Sequence, residues 1–292
     1  MTAILPHLIK VRLGAGPSLV RKASAGLLMA RRTLTQLVSN GSGDKAILLI
    51  FGCQRSGTTM LSRIFEGDAR VSPFAEHTGE LSRPDHLLRL RDLESVGQVF
   101  DRSRGQLVVA KPLVESQRAD EILEHFSSAR AIWMYRDYRD VVRSYVRIFG
   151  RAGINISRKI VTGADNWASE RLSDSVREVV ETFYSEEMSA FDAAALFWWI
   201  RNGWFFDLSL RDHPRVMLCR YETLVSSPDP VMRSIYDFAQ ITYPGAHLIN
   251  GVHPSSKGLG NSIKIDPEID KLCRERLAAL DAAAGVAAEL EG

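Results

Sequence analysis

The chain of 292 residues is long enough for one large α/β domain with insertions, or for two small domains. Apolar residues at 45% and charged residues at 25% exclude disorder and fibrous structure without selecting a function. Cys53, Cys219 and Cys273 are too few and too scattered for a disulfide framework and have no partner at metal-ligand spacing, so a reducing, cytoplasmic setting and no metal are expected.

The net charge of +2 hides an asymmetry. Residues 1–43 hold Lys10, Arg12, Arg21, Lys22, Arg31 and Arg32 and no acid, a basic arm on a mildly acidic body. Across residues 17–38, Val20, Ala23, Leu27, Ala30, Leu34 and Leu37 recur at helical spacing with the cations elsewhere, which suits a helix lying on an anionic membrane surface. A helix docked on its own domain or on a partner has the same pattern, and an acid-free start with Arg and Ser also fits an organelle transit peptide. No run approaches the roughly 20 apolar residues of a spanning helix. The turn-rich "NGSGD" ends the arm at residue 44, and a single domain is expected over 45–292.

From there, short apolar runs alternate with helical patterns. "AILLIF" at 46–51, "QLVVA" at 106–110, "RAIWMY" at 130–135 and "RVMLC" at 215–219 read as strands, and "RVSPF" at 70–74 as a weaker one. Helices are expected over 116–126 and 138–149. Fully apolar strands separated by helices predict a three-layer α/β fold with a central parallel sheet covered on both faces. Residues 150–189 are polar and lack a strand, which predicts a helical insertion over one face. In "FDAAALFWWIRNGWFFDLSL", at 191–210, the crowded aromatics fit a buried core helix or one wall of a pocket.

The stretch "LLIFGCQRSGTTML" at 48–61 runs the first strand into a glycine turn and a helix starting near Ser56. Helix N-termini expose backbone N–H groups and the positive end of the helix dipole, so this turn is suited to an anion. Gly52 and Gly57 have the spacing of the nucleoside-triphosphate P-loop, but Thr58 stands where that loop needs Lys. The cation is Arg55 instead, which with Ser56, Thr58 and Thr59 offers a guanidinium fork and three hydroxyls to one compact oxyanion. A second strand ends at Arg136, followed by a turn and a helix carrying Ser144. In a parallel sheet ligands lie outside the carboxyl ends of the strands, so the two turns share a rim. Arg139, Arg143 and Arg147 recur along that helix as a solvated face. Cys53 reads as a small packing residue within the first turn.

These motifs resemble the sulfotransferases that use 3′-phosphoadenosine 5′-phosphosulfate (PAPS), in particular the carbohydrate and tyrosylprotein branches. The resemblance implies a P-loop-like fold in which Arg55, Ser56, Gly57, Thr58 and Thr59 bind the 5′-phosphosulfate while Arg136 and Ser144 bind the 3′-phosphate. It also places Tyr221 of "RYETLV" near the adenine. Glu76, in "SPFAEHTGE", matches the base that deprotonates the acceptor, although Ala75 and Thr78 depart from the family's usual residues. His77 and Glu80 are the other candidates. A carboxylate of ordinary pKa is a weak base toward an alcohol, so this role requires buried surroundings. Lys111, at the end of another strand, matches a cation beside the transferred group, and Arg55 is the third catalytic candidate. A glycine- and serine-rich basic loop at 253–266 resembles the loop that closes over the nucleotide, with Ser255, Ser256, Lys257 and Lys264 as candidates.

The function implied is transfer of the sulfuryl group of PAPS to a hydroxyl or amine of a carbohydrate, lipid or small metabolite, without a metal and without a nucleic-acid partner. The alternatives are a P-loop kinase or NTPase, which would need the missing Lys and Mg²⁺, and a non-catalytic module that binds adenosine 3′,5′-bisphosphate (PAP).

Overall fold

The computed structural model describes residues 45–76, 79–255 and 257–285. The basic arm with its amphipathic stretch at 17–38, His77 and Ser256 lie outside the described residues. Among the described residues, no helix is long and apolar enough to cross a membrane.

The first strand, β1 (Ala46–Gly52), leads into helix α1 (Thr58–Glu66), two residues later than the sequence implies because Gly57 is the N-cap. Strand β2 (Val71–Phe74) follows, then a short antiparallel hairpin, β3 (Ser82–Arg83) and β4 (His86–Leu90), and helix α2 (Leu93–Arg102). Strand β5 (Leu107–Ala110) runs into a 3₁₀ turn (Leu113–Arg118) and helix α3 (Ala119–His125). The helix expected from 116 therefore begins three residues later, after the 3₁₀ segment. Strand β6 (Arg130–Tyr135) and helix α4 (Tyr138–Phe149) have the predicted bounds. Asp137 caps α4, its side chain accepting from the Arg139 N–H. Beyond it come α5 (Ala152–Val161), α6 (Asp174–Phe183), α7 (Ala190–Asp207), β7 (Val216–Arg220), α8 (Tyr221–Ser226), α9 (Pro228–Phe238) and α10 (Pro267–Ala283).

The main sheet has the order β2-β5-β1-β6-β7, and every neighbouring pair is parallel. Alternate residues of each strand feed two separate cores. Leu48, Ile50, Leu107, Val109, Ile132 and Met134 pack under α1, α8 and α9. Leu49, Phe51, Val108, Ala110, Ala131, Trp133 and Tyr135 pack under α2, α3, α4, α7 and α10. Both faces are covered, which is why the strands read as unbroken apolar runs.

The buried residues of α7 run from Ala193 to Phe205 without a break, so the aromatic stretch is core, as a helix apolar on all sides must be. The insertion is helical, as expected; α5 packs on α7 and α4, and α6 packs on α5. The face beneath is already occupied by α7, so the insertion forms an additional outer layer.

Candidate active site on the rim of the sheet

Strand order brings together groups that are far apart in sequence. At the carboxyl edge, Glu76 follows β2, Lys111 follows β5, the turn at 52–57 follows β1, Arg136 follows β6 and Tyr221 follows β7. Beside the central turn lies a cavity of about 630 Å³, whose lining includes Arg55, Thr58, Thr59, Arg136 and Tyr221.

The turn after β1 has an unusual backbone. Arg55 has φ 72° and Gly57 has φ 91°, both left-handed. A Cβ at position 57 would stand 2.4 Å from the Tyr221 ring, so glycine is required there twice over, by conformation and by space. Helix α1 then starts with no capping side chain and no acid in its first turn, which leaves its positive end to face a ligand. Ser56 Oγ is fully buried and has no hydrogen-bond partner among the described residues. Burial, and then the nearby Arg147 and Arg136 cations, lower the pKa of Arg55. An incoming anion relieves such a concentration of positive charge. Cys53 is packed as expected, burial pushing its thiol up to about 12, so it stays protonated and unreactive.

The turn after β6, the second predicted anion site, touches the first. Arg55 Nε donates to Ser144 Oγ at 3.0 Å, so two residues expected on different phosphates already meet. The Arg136 guanidinium lies over the Tyr221 ring at 4.2 Å, and Arg136 donates to Asp140 at 3.0 Å. Its Nε lies 3.9 Å from Glu222, whose pKa burial raises. Tyr221 thus lies between Gly57 and Arg136 and lines the cavity beside them.

On the other flank, Lys111 Nζ donates to Thr59 Oγ1 at 3.2 Å and to Glu76 Oε2 at 3.4 Å. The side chains of Lys111 and Glu76 are 9% and 12% exposed, so the pair is largely enclosed. Glu80 is exposed. In the late loop, Ser255, Lys257 and Lys264 are also exposed and stand outside the cavity lining.

Sequence reasoning missed the support beneath the rim. Trp198 Nε1 donates to the Arg136 carbonyl at 3.2 Å, and Arg201, one turn later on α7, donates to the Gly52 carbonyl at 2.9 Å and to the Leu113 carbonyl. Ser116 adds a bond from the Gly52 N–H at 3.1 Å. Arg201 is fully buried between Trp167 and Trp204, and burial pulls its pKa down to about 10, still charged at neutral pH. A buried cation on an aromatic helix was the available signal, since such a charge must find acceptors. One helix therefore fastens both strand tips from below.

Residues 45–256 match the model of the sulfotransferase domain, and the chain belongs to that family. It is a sulfotransferase. Among solved structures, the sulfotransferase domain from the curacin biosynthetic pathway is 17% identical, with a TM-score of 0.49, covering 80% of this chain and 98% of its own. A sulfotransferase from Alicyclobacillus acidocaldarius is 15% identical, with a TM-score of 0.47, covering 83% and 96%. A mouse sulfotransferase complexed with PAP is 13% identical, with a TM-score of 0.41, covering 89% and 93%. No curated protein matches the chain in sequence.

Proposed function

We propose that the donor is PAPS and that its sulfuryl group passes in line to a hydroxyl or amine of a carbohydrate, lipid or small-metabolite acceptor, with Glu76 as the base. The supporting observation is the order of groups along the rim: carboxylate, ammonium, hydroxyl-rich turn, second guanidinium and aromatic ring, on five adjacent strands. The unpartnered Ser56 hydroxyl, the close fit of Gly57 against Tyr221 and the crowded arginines suit a ligand with two separated anionic groups.

In this reading Arg55, Ser56, Thr58 and Thr59 hold the phosphosulfate, while Arg136 and Ser144 hold the 3′-phosphate. The Glu76 carboxylate takes the acceptor proton as the acceptor oxygen bonds to sulfur and the bond from sulfur to the phosphate oxygen breaks. Lys111 and Arg55 neutralise the charge gathering on that departing oxygen. Lys111 also touches both Glu76 and Thr59, so one cation aligns the base with the donor turn. The position of Glu76 about 20 residues past the turn supports the carbohydrate and tyrosylprotein branches. The acid-free arm supports peripheral membrane contact through residues 17–38, which would favour a lipid-linked acceptor.

Calorimetry and transfer assays test this reading. PAP is expected to bind without metal, ATP with Mg²⁺ to leave no signal, and labelled PAPS to pass its sulfuryl group to an acceptor fraction. Glu76→Gln should keep PAP affinity and lower turnover by about 10²–10⁴-fold. Wild-type turnover in that variant would remove Glu76 as the base, and ATP binding in place of PAP would return the chain to the kinase alternative.

A further inference from the structure

The two phosphate motifs account for Arg136 and Ser144 but give no task to Asp140, one turn beyond Arg136 on α4. Asp140 is only 4% exposed, yet its carboxylate holds groups from two distant parts of the chain. Oδ2 accepts from the Arg136 guanidinium at 3.0 Å and from the Gly258 N–H at 2.9 Å. Oδ1 accepts from the Gly260 N–H at 2.7 Å. A carboxylate, with acceptor sites on both oxygens and no donor, can serve all three at once.

The seat is tight as well as polar. A Cβ added at Gly260 would come within 2.2 Å of the Arg139 backbone, so the turn at 257–260 lies directly on the first turn of α4. Around it, the Lys257 N–H donates to Pro254 and the Ile263 N–H to Gly260, which keeps the segment compact. The chain entering this turn passes through Leu248, Gly251 and Val252, all of which line the cavity. Farther on, Asp270 accepts from the Tyr138 hydroxyl and the Arg139 guanidinium, both at 2.7 Å, so the following helix is anchored to the same turn of α4.

We propose that Asp140 is a positioning residue: it orients Arg136 and seats the 257–260 turn through one carboxylate, so that anion binding at Arg136 and closure of the C-terminal segment are coupled. This rests on the reading that Arg136 receives the 3′-phosphate of the donor. A phosphate drawn to the guanidinium stiffens a group that shares Oδ2 with the Gly258 N–H, and a stiffer carboxylate holds the turn more firmly. Conversely, a displaced turn leaves two N–H groups unsatisfied and frees the carboxylate to pull Arg136 away from its ligand.

The experiment uses the full chain, with PAP and adenosine 5′-monophosphate as the two probes. Asp140→Asn puts an N–H₂ group where an acceptor is needed, so at least one of the three donors loses its partner. PAP affinity is expected to fall about ten- to a hundredfold, while the weaker affinity for the monophosphate, which lacks the 3′ group, stays within about twofold. Hydrogen exchange in wild type should slow across 257–263 when PAP is added, and that response should vanish in the variant. Gly260→Ala unseats the turn while sparing Asp140 and Arg136; the same loss of PAP affinity and of exchange protection is expected, and this variant decides the matter if Asp140→Asn does not fold. Unchanged PAP affinity in a folded variant, or an equal loss for both nucleotides, overturns the coupling alone. Failure of the wild type to bind PAP overturns the donor reading and the coupling with it.

Discussion

At the tips of β1 and β6, the groups lining the cavity come from the turn that follows each strand: Arg55, Gly57, Thr58 and Thr59 after β1, and Arg136, beside which Ser144 bonds Arg55, after β6. Helix α7 serves the same two tips from far away, Trp198 reaching Arg136 across 62 residues and Arg201 reaching Gly52 across 149. The first arrangement makes a site because of what its residues are, and the second because of where the helix is packed. A tip residue can therefore be removed at the expense of the ligand, whereas a residue of α7 is removed at the expense of the fold first and the ligand second.

The largest expected effect is on the helix. Trp198→Ala should cost about 3–5 kcal/mol of stability by emptying a fully buried site, read by chemical denaturation. Trp198→Phe sharpens the comparison, because it keeps most of the volume and strands the Arg136 carbonyl at about 1–3 kcal/mol, with a smaller loss of PAP affinity. A stable, tightly folded Trp198→Ala protein would show that α7 is not the structural member described here. Arg136→Ala comes next. It should weaken PAP binding by about 1.5–3 kcal/mol in calorimetry, the value of hydrogen bonds to a charged group, with a smaller shift in denaturation midpoint. A loss of stability exceeding the loss of affinity would erase the distinction between tip and helix. The smallest effect belongs to the outer layer: Arg158 and Glu186 pair at 2.6 Å on the exposed surface, and Arg158→Ala should leave both melting temperature and PAP affinity unchanged.

The same contrast decides what was legible in advance. The bounds of β6 and α4, the apolar alternation of the strands and the turn after β1 were readable, because periodicity and turn chemistry act over a few residues. The β3–β4 hairpin was not, since β3 is two residues long and carries no alternation to detect. The surface on which the insertion packs was not legible, because its apolar residues announce burial without naming what buries them. Ile154, Ile160 and Val180 join the buried cluster that α7 also feeds, which only packing could assign. In the site itself, Arg55, Arg136 and Lys111 were named from the strand ends and turns that carry them and Glu76 from the family resemblance, while Asp140 and Arg201 were passed over. Apart from the Arg136 and Gln117 side chains, their partners are backbone groups at Gly258, Gly260, Gly52 and Leu113, and backbone acceptors or donors carry no residue-type signal.

Taken alone, the chain's order of residues determined two strand-turn-helix units of a kind suited to an anion, because arginine, glycine and exposed helix N–H groups act within a single turn. Tertiary structure decided that these units lie on adjacent strands, that Lys111 joins Glu76 to the first of them, that α7 braces both from beneath and that Asp140 holds the second. The reason is physical: strand order and helix packing are settled by burial summed over the whole core, and no short stretch contains that sum.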